Sequence, residues 1–252
     1  MKHTLGLLSC AVAILSLFLS GCTTLEDAFD SSTLGPFHTI QNFKLAGGQL
    51  PDELRRVAVL PLLPARGSKL AEHGSEHLQA VLTDELSRSG LFSVLTITPE
   101  KLHGLSGQRA VRAEDPLPFN FLETLKSETE CQAVLFCELS VYQPYPPISV
   151  GWKFHLFDIK TGELLWSFDE VFDAGKPTVA NSCRRYTRQS RLTSVPATKE
   201  GLVIDSPSTL ARYGLDEAIN TMKKTPKVVQ SSADTSSNRQ SDNSNPKVSK
   251  NQ

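Results

Sequence analysis

The sequence predicts an α/β fold: one mixed-sheet domain with helices packed on it, preceded by a cleaved signal and a tether and followed by a disordered tail. Three observations predict it. Arg55-Arg56-Val57-Ala58-Val59-Leu60-Pro61-Leu62 is a β-branched apolar run between breakers, as in a buried strand. From Leu70 to Arg88 the apolar period changes to that of a helix. From Ile148 to Leu156 it changes again, to strict alternation.

Each element follows from local pattern. Leu78, Val81, Leu82 and Leu86 fall on one face of the first helix, with Glu72, Gln79, Asp84 and Arg88 largely on the other. Ser89-Gly90 ends that helix as a glycine cap. Leu91 to Ile97 reads as a strand, and Pro99 opens a short helical turn over Glu100 to Leu102. Residues 104–118 form a polar loop. Phe119 to Thr129 reads as a helix with Phe121, Leu122 and Leu125 inward. Ala133 to Tyr142 is dense in apolar residues, and Pro144-Tyr145-Pro146-Pro147 breaks it. Ile148, Val150, Trp152, Phe154 and Leu156 then point one way, while Ser149, Gly151, Lys153 and His155 point the other. The turn from Asp158 to Glu163 places Gly162 where a positive φ is useful. Leu164, Trp166 and Phe168 alternate back, and even register puts Trp166 on the same face as Trp152 and Phe154. Residues 174–192 suit a helix with Pro177 in its first turn and a thin inner stripe of Val179, Cys183, Tyr186 and Leu192. Ser206-Pro207 opens another, with Leu210, Tyr213, Leu215, Ala218, Ile219 and Met222 available for packing.

The ends of the chain are of different material. Met1-Lys2-His3 precedes an apolar run from Leu5 to Leu19 and then Ser20-Gly21-Cys22. A short positive start, an apolar core and small residues before a cut describe an export signal. The run of about 15 residues falls short of the roughly 20 a spanning helix needs, so removal is expected. Leu19-Ser20-Gly21-Cys22 resembles the lipobox of bacterial lipoproteins, which implies cleavage between Gly21 and Cys22 and a diacylglycerol on the Cys22 thiol. An ordinary signal with a chance cysteine is the alternative. Thr23, where an aspartate would favour inner-membrane retention in enteric sorting, implies the periplasmic face of the outer membrane, with the inner membrane not excluded. The boundaries are then residues 1–21 signal, 22–54 lipidated tether, 55–224 α/β domain and 225–252 tail. Phe29, Phe37, Ile40 and Phe43 are candidates to dock part of the tether. The tail offers almost nothing to bury, so disorder is expected.

Charge divides along the same lines. Residues 22–222 carry 19 Lys and Arg against 25 Asp and Glu, whereas residues 223–252 carry six against two. An acidic body without a basic face argues against nucleic acid as partner. Beyond Cys10 in the signal and Cys22, three cysteines remain. Cys131 and Cys137 are six apart in an extended segment, about 20 Å, too far for a disulfide's roughly 7 Å between Cα atoms. Cys137 and Cys183 are left either to pair or to stay as buried thiols.

The order strand, helix, strand, helix, strand, hairpin, helix, helix on a lipidated tether resembles a group of envelope proteins. It is similar to the curli-secretion lipoproteins, the lipoprotein activators of penicillin-binding proteins and the amino-terminal domain of TolB. The residues that carry the likeness are Arg56-Val57-Ala58-Val59-Leu60-Pro61, Leu86-Ser87-Arg88-Ser89-Gly90-Leu91-Phe92, Phe157 through Trp166, and Ser206-Pro207. The resemblance implies a non-catalytic module working through protein contacts in the envelope, and supplies no catalytic residue. An oligomeric export-channel component is a second expectation, although one alternating hairpin is few for a lipid-facing barrel.

One motif bears on catalysis. His73-Gly74-Ser75-Glu76-His77 fits H-x-x-E-H, the inverted zinc-protease pattern, and would put His73 and His77 on one helix face. Against a zinc hydrolase stand Gly74 inside the helix, the exposed position and the lack of a clear third ligand. Two solvated histidines are the plainer reading. His155 on the polar side of the hairpin reads as a surface histidine. Asp169, Glu170 and Asp173 read as a solvated strand end, or else a cation site. Arg184, Arg188 and Arg191 share a helix face at i, i+4, i+7, with Arg185 beside them. That face suits anionic headgroups or an acidic partner, or is simply solvated. The expected function is a lipid-tethered binding or scaffold module, not an enzyme, with no cofactor other than the lipid on Cys22. Its partner is expected to be another envelope protein, met by Pro144, Tyr145 and Pro146 or by the arginine face.

Overall fold

The computed structural model describes residues 34–189 and 206–223. These form six strands and five α-helices in the order β1 (Phe43–Leu45), β2 (Arg56–Pro64), α1 (Lys69–Arg88), β3 (Ser93–Thr96), α2 (Pro99–Ser106), α3 (Phe121–Thr129), β4 (Ala133–Gln143), β5 (Ser149–Asp158), β6 (Leu164–Asp173), α4 (Pro177–Gln189) and α5 (Pro207–Met222). The strands make one mixed sheet in the order β1-β6-β5-β4-β2-β3. β3, β2 and β4 run parallel, and β4, β5, β6 and β1 are antiparallel. The expected mixed sheet with helices is therefore the fold of the domain.

Each face of the sheet has its own core. On one side α1, α4 and α5 cover Val57, Val59, Leu135, Trp152, Phe154, Trp166, Phe168 and Phe172. On the other, α2 and α3 cover Ala58, Leu60, Val134 and Phe136 with Leu102, Phe121 and Leu125. β2 is apolar on both faces because both are covered, as expected for a parallel strand. The hairpin alternates because helices cover only one of its faces.

Local chemistry explains the element ends. The Ser68 side chain caps α1 by accepting from Ala71 N at 3.2 Å. Leu78, Val81, Leu82 and Leu86 are buried, as their spacing predicts. Thr98 caps α2, and Gly107 closes it at φ +72°, so this helix runs eight residues rather than a single turn. α3 begins at Phe121, not Phe119: Asn120 sits in the left-handed region at φ 56° and leaves Phe119 94% exposed.

The hairpin is set by its turn and two irregularities. Asp158 Oδ1 accepts from Lys160 N at 2.7 Å and Thr161 N at 2.8 Å, and Gly162 takes φ +71°. Leu156 pairs with Trp166 and Phe157 with Leu164, so Leu165 is an extra residue in β6. Trp166 still faces the same core as Trp152 and Phe154. In β4 the register shifts between Leu139 and Val141, so Ser140 has no partner residue across the pair. Its hydroxyl would lie 2.5 Å from a Cβ at position 151, which is why Gly151 stands there.

The segment assigned to the tether contributes to the domain. Phe43–Leu45 pairs with Phe168 to Trp166 as β1, and Ile40 and Leu54 are buried. Cys131, Cys137 and Cys183 are buried free thiols, so Cys137 and Cys183 do not pair. Burial pushes the Cys183 thiol up to about 12 and that of Cys137 higher still, which leaves both protonated and unreactive. Among the described residues no helix is long and apolar enough to cross a membrane.

Trp152 is fully buried while its neighbour Lys153 stands on the opposite face. Trp152→Ala is expected to cost roughly 3–5 kcal/mol. Lys153→Ala removes a half-buried ion pair with Glu114 and is expected to cost under about 1 kcal/mol. Denaturant unfolding of both variants measures the difference; small and equal effects contradict the placement of Trp152.

Candidate binding surface

The H-x-x-E-H residues lie in the second and third turns of α1, with His73, Glu76 and His77 exposed and Gly74 buried. His73 Nδ1 is 2.9 Å from Lys69 O, a contact within its own helix. Gly74 has a packing role. A Cβ there would fall 2.6 Å from the Tyr142 ring and 2.9 Å from Leu139, so the glycine lets β4 approach the helix. Among the described residues no group of three or more His, Cys, Asp or Glu side chains is placed to hold a metal.

Tyr142 belongs to a surface that reaches the Pro144–Pro147 loop. Gln143 Nε2 donates to Pro147 O at 3.1 Å and to Tyr145 O at 3.5 Å, bracing the loop. Tyr145 is 70% exposed. Burial, and then the nearby Tyr145, pushes the Tyr142 phenol up. Leu70, also exposed, is one turn before Gly74 and shares its helix face. Tyr142 and Tyr145 lie near one another at the end of the sheet, with Leu70 exposed one turn from the Gly74 contact, and aromatic residues so exposed are of the composition found at protein contacts. Leu70 and Tyr142 could not be placed from sequence, because only the packing on Gly74 brings helix and strand together.

The arginines lie elsewhere. α4 starts beside the loop, where a Cβ on Gly175 would be 3.1 Å from Pro147, but Arg184 and Arg188 are two and three turns further along. Arg184 Nη1 donates to Asn181 Oδ1 at 3.2 Å. Arg185 stacks over the Phe37 ring at 4.8 Å. Loop and arginine face are therefore two surfaces. Arg191, Gly21 and Cys22 lie outside the described residues.

The acidic strand end is tied into the domain. Glu170 lies 3.6 Å from His38 Nε2, and Asp173 Oδ1 accepts from Gly175 N at 2.8 Å. His155 sits half-buried in a small hollow roofed by Val111, Arg112 and Glu114. That roof is held by ions: Arg112 to Glu138 at 2.5 Å, Arg66 to Asp115 at 2.5 Å, and Lys153 to Glu114. Arg112 also donates to Pro64 O. These charges fasten the loop across the open face of β4 and β5.

The fold has relatives among solved structures. They include the PelC dodecamer from Paraburkholderia phytofirmans, with 17% identity and a TM-score of 0.34 over 53% of this chain and 79% of that one. The lipoprotein GNA1162 from Neisseria meningitidis matches at 17% identity and a TM-score of 0.36, over 56% of this chain and 99% of that one. The LpoB C-terminal domain from Escherichia coli matches at 18% identity and a TM-score of 0.31, over 47% and 82%. At this level the likeness carries no residue role and no partner across. No family model and no curated protein matches the chain.

Gly74→Ala is expected to destabilise by about 1–3 kcal/mol, because Tyr142 or the helix must shift. Gly104→Ala in α2 meets nothing within 4 Å and is expected to stabilise by about 0.5–1 kcal/mol. Melting curves of the two variants check the contrast, and destabilisation by both would remove Tyr142 packing as the reason for Gly74.

Several groups make stability fall in acid. Burial lowers the pKa of His38 and His155 below the ordinary histidine value, in spite of neighbouring carboxylates. The unfolded chain then binds protons at these sites before the folded one does, so stability drops as pH falls below about 6.5. For Glu114, burial raises the pKa, but the Lys153 hydrogen bond and nearby positive charge outweigh it and hold the carboxyl below its usual range. Its contribution is present above about pH 4.3 and is lost as pH falls through the folded value. His155→Gln is expected to flatten melting temperature against pH between about 7 and 5, and Glu114→Gln to flatten it below about pH 4.5. An unchanged slope in either variant contradicts the assignment.

Proposed function

We propose that the chain is a membrane-anchored envelope lipoprotein whose α/β domain is a non-catalytic binding or scaffold module. The observation that carries the reading is the use the fold makes of its side chains. Several charged groups join segments of the fold: Glu85 with Arg212, Arg112 with Glu138, Lys153 with Glu114. Tyr145, in contrast, is held outward on a braced proline loop beside Tyr142 and Leu70. A rigid aromatic anchor presented to solvent is what a protein contact uses. The signal core and Leu19-Ser20-Gly21-Cys22 support export and lipidation of Cys22, and Thr23 supports the periplasmic face of the outer membrane. The diacylated thioether supplies the two chains that stable anchoring requires. The resemblance read from the sequence supports an envelope protein as partner.

The test joins anchor and patch in intact cells. Cys22→Ala is expected to shift the protein from the membrane to the soluble fraction after a salt wash, and retention would mean that something other than the lipid holds it. A photo-crosslinker at position 145 is expected to capture a discrete envelope protein. Tyr145→Ala is expected to weaken that capture while changing stability by less than about 0.5 kcal/mol. Loss of stability instead of capture would return Tyr145 to a structural role.

A further inference from the structure

Three segments meet around a hollow that the Tyr145 patch does not touch. The chain before β1 is fastened to α4: Asn181 Nδ2 donates to Pro36 O at 3.3 Å, and His38 N donates to Ser182 Oγ at 2.9 Å. α5 lies against α4 at the same place, with the Tyr186 and Tyr213 rings 5.9 Å apart. Residues of the docked segment, α4 and α5 together line a cavity of about 320 Å³. That is the lower end of the roughly 300–1,000 Å³ of small-molecule sites.

The wall of this cavity holds polar atoms that the fold leaves unbonded. Tyr213 is only 1% exposed, yet its hydroxyl makes no hydrogen bond. Burial, and then Glu217, push its phenol up, so the hydroxyl keeps its proton. Ser182, which already accepts from His38 N, pulls the other way without making a bond of good geometry. His38 Nε2 also lacks a hydrogen bond, because Glu170 Oε1 is 3.6 Å away. Burial lowers the pKa of His38, so its ring is neutral at pH 7. Among the described residues only four buried side-chain atoms are unbonded in this way, and two of them line this one cavity. Buried polar groups are nearly always hydrogen-bonded, so two exceptions in one wall point to a ligand that supplies the bonds.

The rest of the wall suits a neutral ligand rich in hydroxyl groups. Arg185 lies there beside Asp216 and Glu217, and Lys223 acts on Asp216 from the end of α5, so neither sign of charge prevails. Asn220 Nδ2 donates to Asp216 Oδ2 at 3.0 Å, which sets a donor and an acceptor side by side. A hydroxyl both donates and accepts, and so can answer a phenol, an imidazole, an amide and a carboxylate in turn. Phe37 and Tyr186, both half-buried, add rings whose negative faces attract the C–H side of a sugar. We propose that this cavity binds a neutral saccharide of one or two rings, either free or as the end of a glycan chain. Tyr213 Oη and His38 Nε2 bond its hydroxyls at the floor, and Asp216 with Asn220 bonds it at the rim. The site is independent of the lipid on Cys22 and of the Tyr145 patch.

The test uses the mature chain with Cys22→Ser, so that no lipid or detergent competes. Glucose, galactose, N-acetylglucosamine, maltose and the β-1,4 dimer of N-acetylglucosamine are each titrated by saturation-transfer NMR, with glycerol as a polyol without a ring. Saturable binding of at least one sugar, and none of glycerol, is expected. The methyl β-glycoside of the sugar that binds separates the sources: a chain end binds unchanged as the glycoside, and a free sugar held by its anomeric hydroxyl does not. Tyr213→Phe removes only the unbonded hydroxyl. It is expected to weaken binding about fivefold or more without lowering the melting temperature. Asp216→Asn, with a severalfold loss expected, decides the matter if Tyr213→Phe loses its fold. Tyr145→Ala is expected to bind as the parent does. Binding to no sugar of the panel, equal binding of glycerol, or binding unaffected by both Tyr213→Phe and Asp216→Asn overturns the proposal. A failure here leaves the lipoprotein reading standing, because the fractionation of Cys22→Ala and the crosslinking at position 145 test that separately.

Discussion

Everything in the domain is arranged around the aromatic layer on one face of the hairpin. Trp152, Phe154, Trp166, Phe168 and Phe172 stack in sequence with centroids 5.6–6.5 Å apart. α5 crosses this layer closely, and Gly214 makes the crossing possible: a Cβ there would fall 2.8 Å from Phe172 and 3.1 Å from Trp152. Trp166 Nε1 donates to Thr221 Oγ1 at 2.9 Å and Tyr213 sets its ring edge-on to Phe172, which fixes the helix along its length. Large rings on the strands and small residues on the helix satisfy the same distance. Among the described residues no helix covers the other face of β6 or β1, so the stability of those strands depends on this contact.

That contact was legible in the sequence for a physical reason. A half-buried hairpin must alternate, and a helix that packs on it must show an apolar stripe. The runs from Ile148 to Leu156 and from Leu210 to Met222 display both patterns without help from distant residues. Where the determinant is a long-range contact, the pattern is silent. β1 has three residues and no alternation to read; it is a strand because β6 offers an unpaired edge. Gly74 reads as a weak point of a helix and is a contact with Tyr142 in β4, nearly 70 residues away in the chain. Gly151 reads as one polar-side residue among others and answers a bulge in the neighbouring strand. The candidate surface was half legible on the same grounds. Tyr145 stands out in a proline loop, whereas Leu70 and Tyr142 join it only through the fold.

The electrostatics follow a similar division of labour. Glu85 is buried on α1 and bonded by Arg88 from its own helix at 2.9 Å and by Arg212 from α5 at 2.6 Å. A buried carboxylate without such partners would be costly, so the pair fixes how the two helices sit as much as it adds to their attraction. On the other side of the sheet, Arg112, Asp115 and Glu114 fasten a loop that has little apolar surface of its own. The first network joins helices already held by their cores. The second adds to the hold that Val111, buried against the sheet, gives its loop.

The docked amino-terminal segment is part of the rigid domain, held to α4 by Asn181 and Ser182 and to β6 by backbone pairing. A flexible tether from lipid to fold lets a domain sample every orientation, and a binding patch then faces the membrane as often as it faces away. Here the chain is committed to β6 and α4 for the twelve residues before the sheet is complete, from Leu34 to Leu45. The end of the sheet that carries Tyr145 is reached from α4 through Gly175 and Pro147, within the same rigid unit. An orientation imposed at α4 is therefore imposed on Tyr145 as well.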